Sequence, residues 1–150
     1  MTTKAAIKPR STTVHERIVN NDPRTFGDHD FDIGTVSHQG DLILVRIAKL
    51  PKSVKPRASR QLAEGNTQGS RHILIGGEAF DCVASKITKE ISKVCKGVSV
   101  DARYVGPVFT TPATIEHPEH GHQTFNFTGV VACVYQRNMD QLQRERRVLD

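Results

Sequence analysis

Apolar positions are unevenly spread along the 150 residues. Over residues 1–38 they stand alone: Ile7, Val14, Ile18, Val19, Phe26, Phe31 and Ile33 are scattered among Thr, Asn, Asp, Arg, Pro and His. No helical or strand period persists there, and such a segment cannot offset its own ordering entropy. It reads as an extended N-terminal arm. Its tip is basic (Lys4, Lys8, Arg10 and Arg17 against Glu16), and its neck is acidic, with Asp22, Asp28, Asp30 and Asp32. From Gln39 the texture changes. The run Leu42 to Ile47 after Gly40-Asp41 predicts a largely buried strand. Ile73-Leu74-Ile75, ended by Gly76-Gly77, predicts a short strand, and Ala79 to Ala84 another.

Residues 85–96 break the β pattern. Ile87, Ile91, Val94 and Cys95 fall at i, i+4, i+7 and i+8, one face of a helix, with Lys86, Lys89, Glu90 and Lys93 opposite. Ser85 is placed to cap its start and Gly97 to end it. Strand-like runs then crowd together. They cover 98–105, 108–115 (where Pro112 suggests an edge or bulge), the strictly alternating 123–128, and 130–135. Roughly six to eight short strands with one helix imply a mainly β fold, a small antiparallel barrel or sandwich with a short helix at about 85–96. The expected organisation is an arm over 1–38, a β domain over 39–140, and a charged tail over 141–150.

Composition adjusts this picture modestly. Hydrophobic residues make up 37%, below the usual globular share, which suits a chain with an unpacked segment. Lys and Arg number 21 against 16 Asp and Glu, a net charge of +5. Six of the cations, Arg46, Lys49, Lys52, Lys55, Arg57 and Arg60, follow one another with no acidic residue between them. Pro51 and Pro56 exclude a basic helix, so this reads as an extended basic loop. It is either solvated or a contact surface for phosphate or an acidic partner. Basic-aromatic interleaving of the kind that stacks single strands is missing. No apolar run reaches the ~18–20 residues of a membrane span. Met1 to Arg10 has no apolar core of a secretory signal, so a location in the cytoplasm of a host cell or in a virion is expected. Three cysteines without a CxxC pair argue against a disulfide framework or zinc ribbon and suit a reducing compartment, with the thiols acting as small hydrophobes.

The densest chemical feature is His117-Pro118-Glu119-His120-Gly121-His122. Imidazoles and carboxylates are the usual ligands of divalent transition metals. With His72 approaching from another strand, His72, His117, His120 and His122 form a candidate ligand set, with Glu119 as ligand or base, in a cupin-like arrangement. The bland alternative is a polar turn, which Pro118 and Gly121 mark. GxGxxG, P-loop, HExxH and GxSxG motifs are absent. Gly65 to Ser70 reads as a plain polar loop rather than an anion cradle, and Asp81 and Asp101 as lone carboxylates. No catalytic residue is assigned.

Three blocks carry a resemblance. They are Gln39-Gly40-Asp41-Leu42-Ile43-Leu44-Val45 running to Leu50-Pro51; Leu62-Ala63-Glu64-Gly65 with Thr67, Gly69 and His72-Ile73; and His117-Pro118-Glu119-His120 followed by Tyr135-Gln136-Arg137. Over residues 39–140 the chain resembles a family of small uncharacterised proteins of phage and bacterial genomes with the pattern GDVLL…LAxGExTGHxH…HxEH…QRE. Where the family carries a GHxH pair, this chain has Gly69-Ser70-Arg71-His72, and the QRE ending reads Gln136-Arg137-Asn138. The resemblance implies a viral or mobile-element setting. If its pattern reflects a metal site, His72, His117 and His120 are the matching positions.

Three roles follow as expectations. The first is a non-enzymatic structural protein, a capsid-associated decoration or minor head component of a phage. It would bind neighbouring subunits of a homo- or hetero-oligomer through Ile18, Val19, Phe26 and Phe31 of the arm and through the basic residues between Arg46 and Arg60. The second is a cupin-like metal-binding β-barrel using the histidines. The third is a nucleic-acid-binding accessory protein using the basic tip and loop.

Overall fold

A computed structural model describes residues 23–63, 72–96, 98–118 and 120–135. Outside these lie Ile18, Val19 and the basic tip, the loop 65–70, the Gly97 helix stop, Glu119, and the tail. Nine strands lie within the described residues: β1 Arg24–Gly27, β2 Val36–Gln39, β3 Leu42–Ile47, β4 Lys55–Pro56, β5 Gln61–Ala63, β6 His72–Ile75, β7 Ala79–Asp81, β8 Val105–Glu116 and β9 Gln123–Tyr135. One α-helix, α1 Ala84–Val94, falls between β7 and β8. The fold is therefore mainly β, as the hydrophobic pattern predicted.

The strands form one sheet in the order β2-β3-β9-β8-β6-β5, with β1 parallel to β9 and the β4–β7 pair joined through β8. The other ladders are antiparallel. The sheet does not close, so the architecture is a sandwich or open barrel. The long strands β8 and β9 form its spine. Opposite Pro112 their ladder shifts register, between the pairs Phe125–Ala113 and Gly129–Thr111, which is the bulge the proline suggested.

Two apolar clusters explain the two textures of β9. Phe125 and Phe127 alternate with exposed Asn126 and Thr128, so this half buries one face. Val130 to Val134 is continuously apolar because both faces are covered. One face joins Leu42, Leu44, Phe109 and Ile115 in the larger cluster. The other meets Val45, Ile47, Ile87 and Ile91 beneath α1. The helix buries Ile87 and Ile91 as its periodicity predicts, and also Glu90. The periodicity puts Glu90 on the polar face, but one turn after Ile87 it lies only about 60° away around the axis and flanks the apolar stripe. No side chain caps the helix start; its N-cap is Val83, not Ser85. Residues 98–101 are not a strand, and Ala102–Tyr104 is a single 3₁₀ turn started by Asp101, whose carboxylate accepts the Arg103 N–H at 2.9 Å.

The arm boundary at residue 38 is corrected. Residues 24–27 and 36–39 are strands of the sheet, and the connection between them is held down from inside. Phe31 is fully buried, its ring 5.2 Å from Phe125 edge-on and 5.9 Å from Phe127. Phe26 stacks on Phe125 at 5.5 Å. Neither is available to a neighbouring subunit. The physical reason is aromatic area: each ring removes enough apolar surface from water to offset ordering of the few residues around it. Arg46 is likewise not a surface cation. It lies under Phe127 at 4.2 Å and donates to Asp28 Oδ1 at 2.7 Å and to the Phe31 carbonyl at 2.8 Å, clamping that connection to β3.

Cys82, Cys95 and Cys133 are free thiols. Burial raises the Cys133 thiol far above its ordinary range, so it packs as a neutral core group. No helix among the described residues is long and apolar enough to cross a membrane.

Candidate functional site

One end of the sheet gathers a polar group of residues from three segments. The β2–β3 hairpin turn, Gly40-Asp41, has Gly40 at φ +61°, the conformation that puts glycine first in a two-residue turn. It is also bare for a second reason: a Cβ there would meet the His120 ring at 2.7 Å. His72 opens β6, and the segment from His117 to His122 joins β8 to β9.

Gln39 organises the group. Its side-chain amide donates both protons, to the Ile115 carbonyl at 3.0 Å and the Gly121 carbonyl at 2.9 Å. With both amide protons committed, its Oε1 is the acceptor for His72 Nδ1 at 2.8 Å. His72 therefore carries a proton on Nδ1. Its Nε2 faces Asp41 Oδ1 at 3.3 Å, from a side chain that is fully buried. A bare imidazole nitrogen and a carboxylate oxygen at that distance repel unless a positive charge lies on or between them.

The three rings of His72, His117 and His120 sit in sequence, with centroids 4.5 Å apart at each step. His117 Nδ1 accepts the His120 backbone N–H at 3.1 Å, which pins the turn and leaves the neutral His117 ring protonated at Nε2. Burial, with help from the other two histidines, holds His117 down to a pKa of about 4, against the opposing pull of Asp41. At neutral pH His117 is uncharged. His120 Nδ1 is buried and has no hydrogen-bond partner among the described residues. Behind the rings, Gln123 accepts from Ser37 Oγ at 2.7 Å and donates to the His38 carbonyl, which ties β2 to β9.

Three of the four predicted histidines thus come together. His122 does not: it is exposed and takes no part in the ring contacts of the others, contributing only a carbonyl that accepts the Arg24 N–H at 2.9 Å. The rings lie beside one another rather than converging on a point, and among the described residues no three His, Cys, Asp or Glu side chains are arrayed to hold a metal ion. Gln39 and Asp41 escaped the sequence reading. The hairpin turn was the available signal for Asp41, whereas nothing local marks an inward-facing glutamine.

The basic loop is divided. Arg57 pairs with Asp81 at 2.8 Å and donates to the Gln61 carbonyl, and Arg60 donates to the carbonyls of Leu74, Gly76 and Gly77. These guanidinium groups brace their own chain. Lys49, Lys52 and Lys55 are exposed.

Residues 38–127 match the family model of a domain of unknown function (DUF8820). No curated protein and no solved structure matches the chain.

Proposed function

The chain belongs to the DUF8820 family, whose span includes Gln39, Asp41, His72, His117 and His120, and from the geometry of these residues we propose that it is a metal-binding β domain holding one divalent transition ion at the histidine cluster. The supporting observation is the His72 Nε2 and Asp41 Oδ1 pair at 3.3 Å, with the other ring nitrogen of His72 bonded to Gln39. A metal-ligating histidine usually has its far ring nitrogen oriented by an acceptor in this way. His72 through Nε2 and Asp41 through its carboxylate would supply two ligands, and His120 would complete the set by turning its ring toward them. His117 would orient His120 through the backbone. Imidazole and carboxylate donors suit zinc, iron, nickel or manganese. The cluster is read as a binding centre, and no reaction is assigned to it.

The test is metal content of untagged protein, equilibrated separately with zinc, nickel, cobalt and ferrous iron and dialysed without chelators. One ion per chain is expected, lost in His72→Ala and in His120→Ala. Less than about a tenth of an equivalent of every metal in the folded wild type overturns the proposal.

A second reading keeps the interaction role, as a subunit of an assembly such as a phage particle. It rests on the composition of residues 1–22 and on the exposed lysines, since Phe26 and Phe31 are turned inward. Removing residues 1–22 should leave the domain folded and abolish assembly, and a truncated protein that still assembles with its partner subunits excludes an arm-driven role. A cut at residue 30 would also take β1 out of the sheet.

A further inference from the structure

Away from the histidines, five lysines converge on one groove. Lys49 and Lys52 come from the segment after β3, and Lys86, Lys89 and Lys93 from the outer face of α1. The groove has a volume of about 290 Å³ and also includes Pro51 and Glu90. Among the described residues Glu90 is its only carboxylate. Its side chain is 8% exposed, one oxygen accepts Lys93 Nζ at 3.2 Å, and the other has no partner among the described residues.

A carboxylate buried at this position is costly unless cations gather around it. Glu90 therefore acts as a positioning residue, holding the Lys93 ammonium beside the groove. Five lysines against one carboxylate among the lining residues give the groove's rim an excess of positive charge that a polyanion would neutralise.

We propose that this groove binds the phosphodiester backbone of a nucleic acid. Lys86 to Lys93 spans about 10 Å of helix, at ~1.5 Å per residue, a length that bridges neighbouring phosphates of one strand. The lining residues include no arginine and no aromatic side chain. Compact ammonium charges contact phosphate without the planar fork that reads base edges and without a face for stacking, so the contact is independent of sequence. Of the basic loop only Lys49 and Lys52 line the groove, since Arg46, Arg57 and Arg60 are engaged internally.

The experiment is fluorescence anisotropy of the full chain with labelled DNA and RNA of the same mixed sequence, titrated with salt. Both nucleic acids should bind within a few-fold of each other, with a log–log salt slope of about −4 to −5, near −0.9 for each lysine engaged. Lys86→Ala/Lys89→Ala should reduce the slope by about 2 and weaken binding roughly tenfold or more. Lys49→Ala/Lys52→Ala repeats the test without touching the helix. Lys4→Ala/Lys8→Ala, at the N-terminal tip, should change little. The proposal is overturned if no binding occurs at low salt, if both groove variants bind like wild type, or if poly-glutamate displaces the nucleic acid at equal charge concentration. The last outcome would make the groove a site for acidic protein.

Discussion

At the histidine end, Gln39 and His72 are fully buried, and Gln39 commits both its amide protons and its oxygen to the same chain. At the lysine groove, the ammonium groups of Lys49, Lys52, Lys86 and Lys89 lie on exposed residues, and buried Glu90 is bonded through only one oxygen. Both regions combine segments distant in sequence, yet they treat polar atoms in opposite ways. A buried network anchored on a fully bonded glutamine is rigid and suits a small ligand of fixed geometry. A row of exposed like charges is adaptable and suits an extended polyanion. Substitutions at the first should therefore appear in stability, and substitutions at the second only in binding.

The largest expected effect is Gln39→Leu. It strips donors from two buried carbonyls and the acceptor from His72, and should cost about 3 kcal/mol in urea unfolding. Metal affinity should fall roughly 10- to 100-fold in any fraction that stays folded. A loss below about 0.5 kcal/mol would remove the rigid half of the contrast.

Acid comes next. The folded-state pKa of His117, about 4, lies below the ordinary histidine value of 6.5. Between those values the unfolded chain binds more protons, so stability is full above about pH 6.5 and falls as the pH drops toward 4. The loss attributable to this ring should be about 3 kcal/mol, and His117→Gln should flatten that part of the profile. An unchanged profile would contradict the buried neutral ring. Metal retention should fall over the same range, because protons compete for the imidazoles.

Gly40→Ala is smaller. A Cβ at φ +61° would sit 2.7 Å from the His120 ring. The backbone penalty of about 1–2 kcal/mol should show in thermal unfolding, with displacement of His120 from its neighbours. The smallest effect belongs to Lys86→Ala/Lys89→Ala, which should move stability by no more than about 0.5 kcal/mol while weakening nucleic-acid binding. A large destabilisation there would mean the lysines brace the fold, as the arginines do.

Individual residues show how far the pattern could be read. The run of β3, the alternation of Phe125 and Phe127, the bulge at Pro112 and the spacing of Ile87 and Ile91 all have local periods. Strands β1 and β2 do not. Their inward positions include Ser37 and Gln39, polar groups that look like surface until Gln123, Ile115 and Gly121 supply their partners. Phe31 has no apolar neighbour close in sequence other than Ile33, and only its ring contacts with Phe26, Phe125 and Phe127 reveal that it is core. Arg46, inside an apolar run, looked like the start of a basic surface until Asp28, the Phe31 carbonyl and Phe127 enclosed it.

Local chemistry alone therefore determined the β class, the helix and its apolar face, the glycine turn, and the residue types able to bind a metal or a phosphate. Tertiary structure decided that residues 24–39 join the sheet, that His72, His117 and His120 become neighbours while His122 stays outside, and that lysines rather than arginines face the groove. The division has a physical cause. Turns and amphipathic faces depend on residues within one turn or one strand pair. The burial of an isolated phenylalanine, or the satisfaction of a buried glutamine, depends on groups brought from far along the chain by non-local strand pairing.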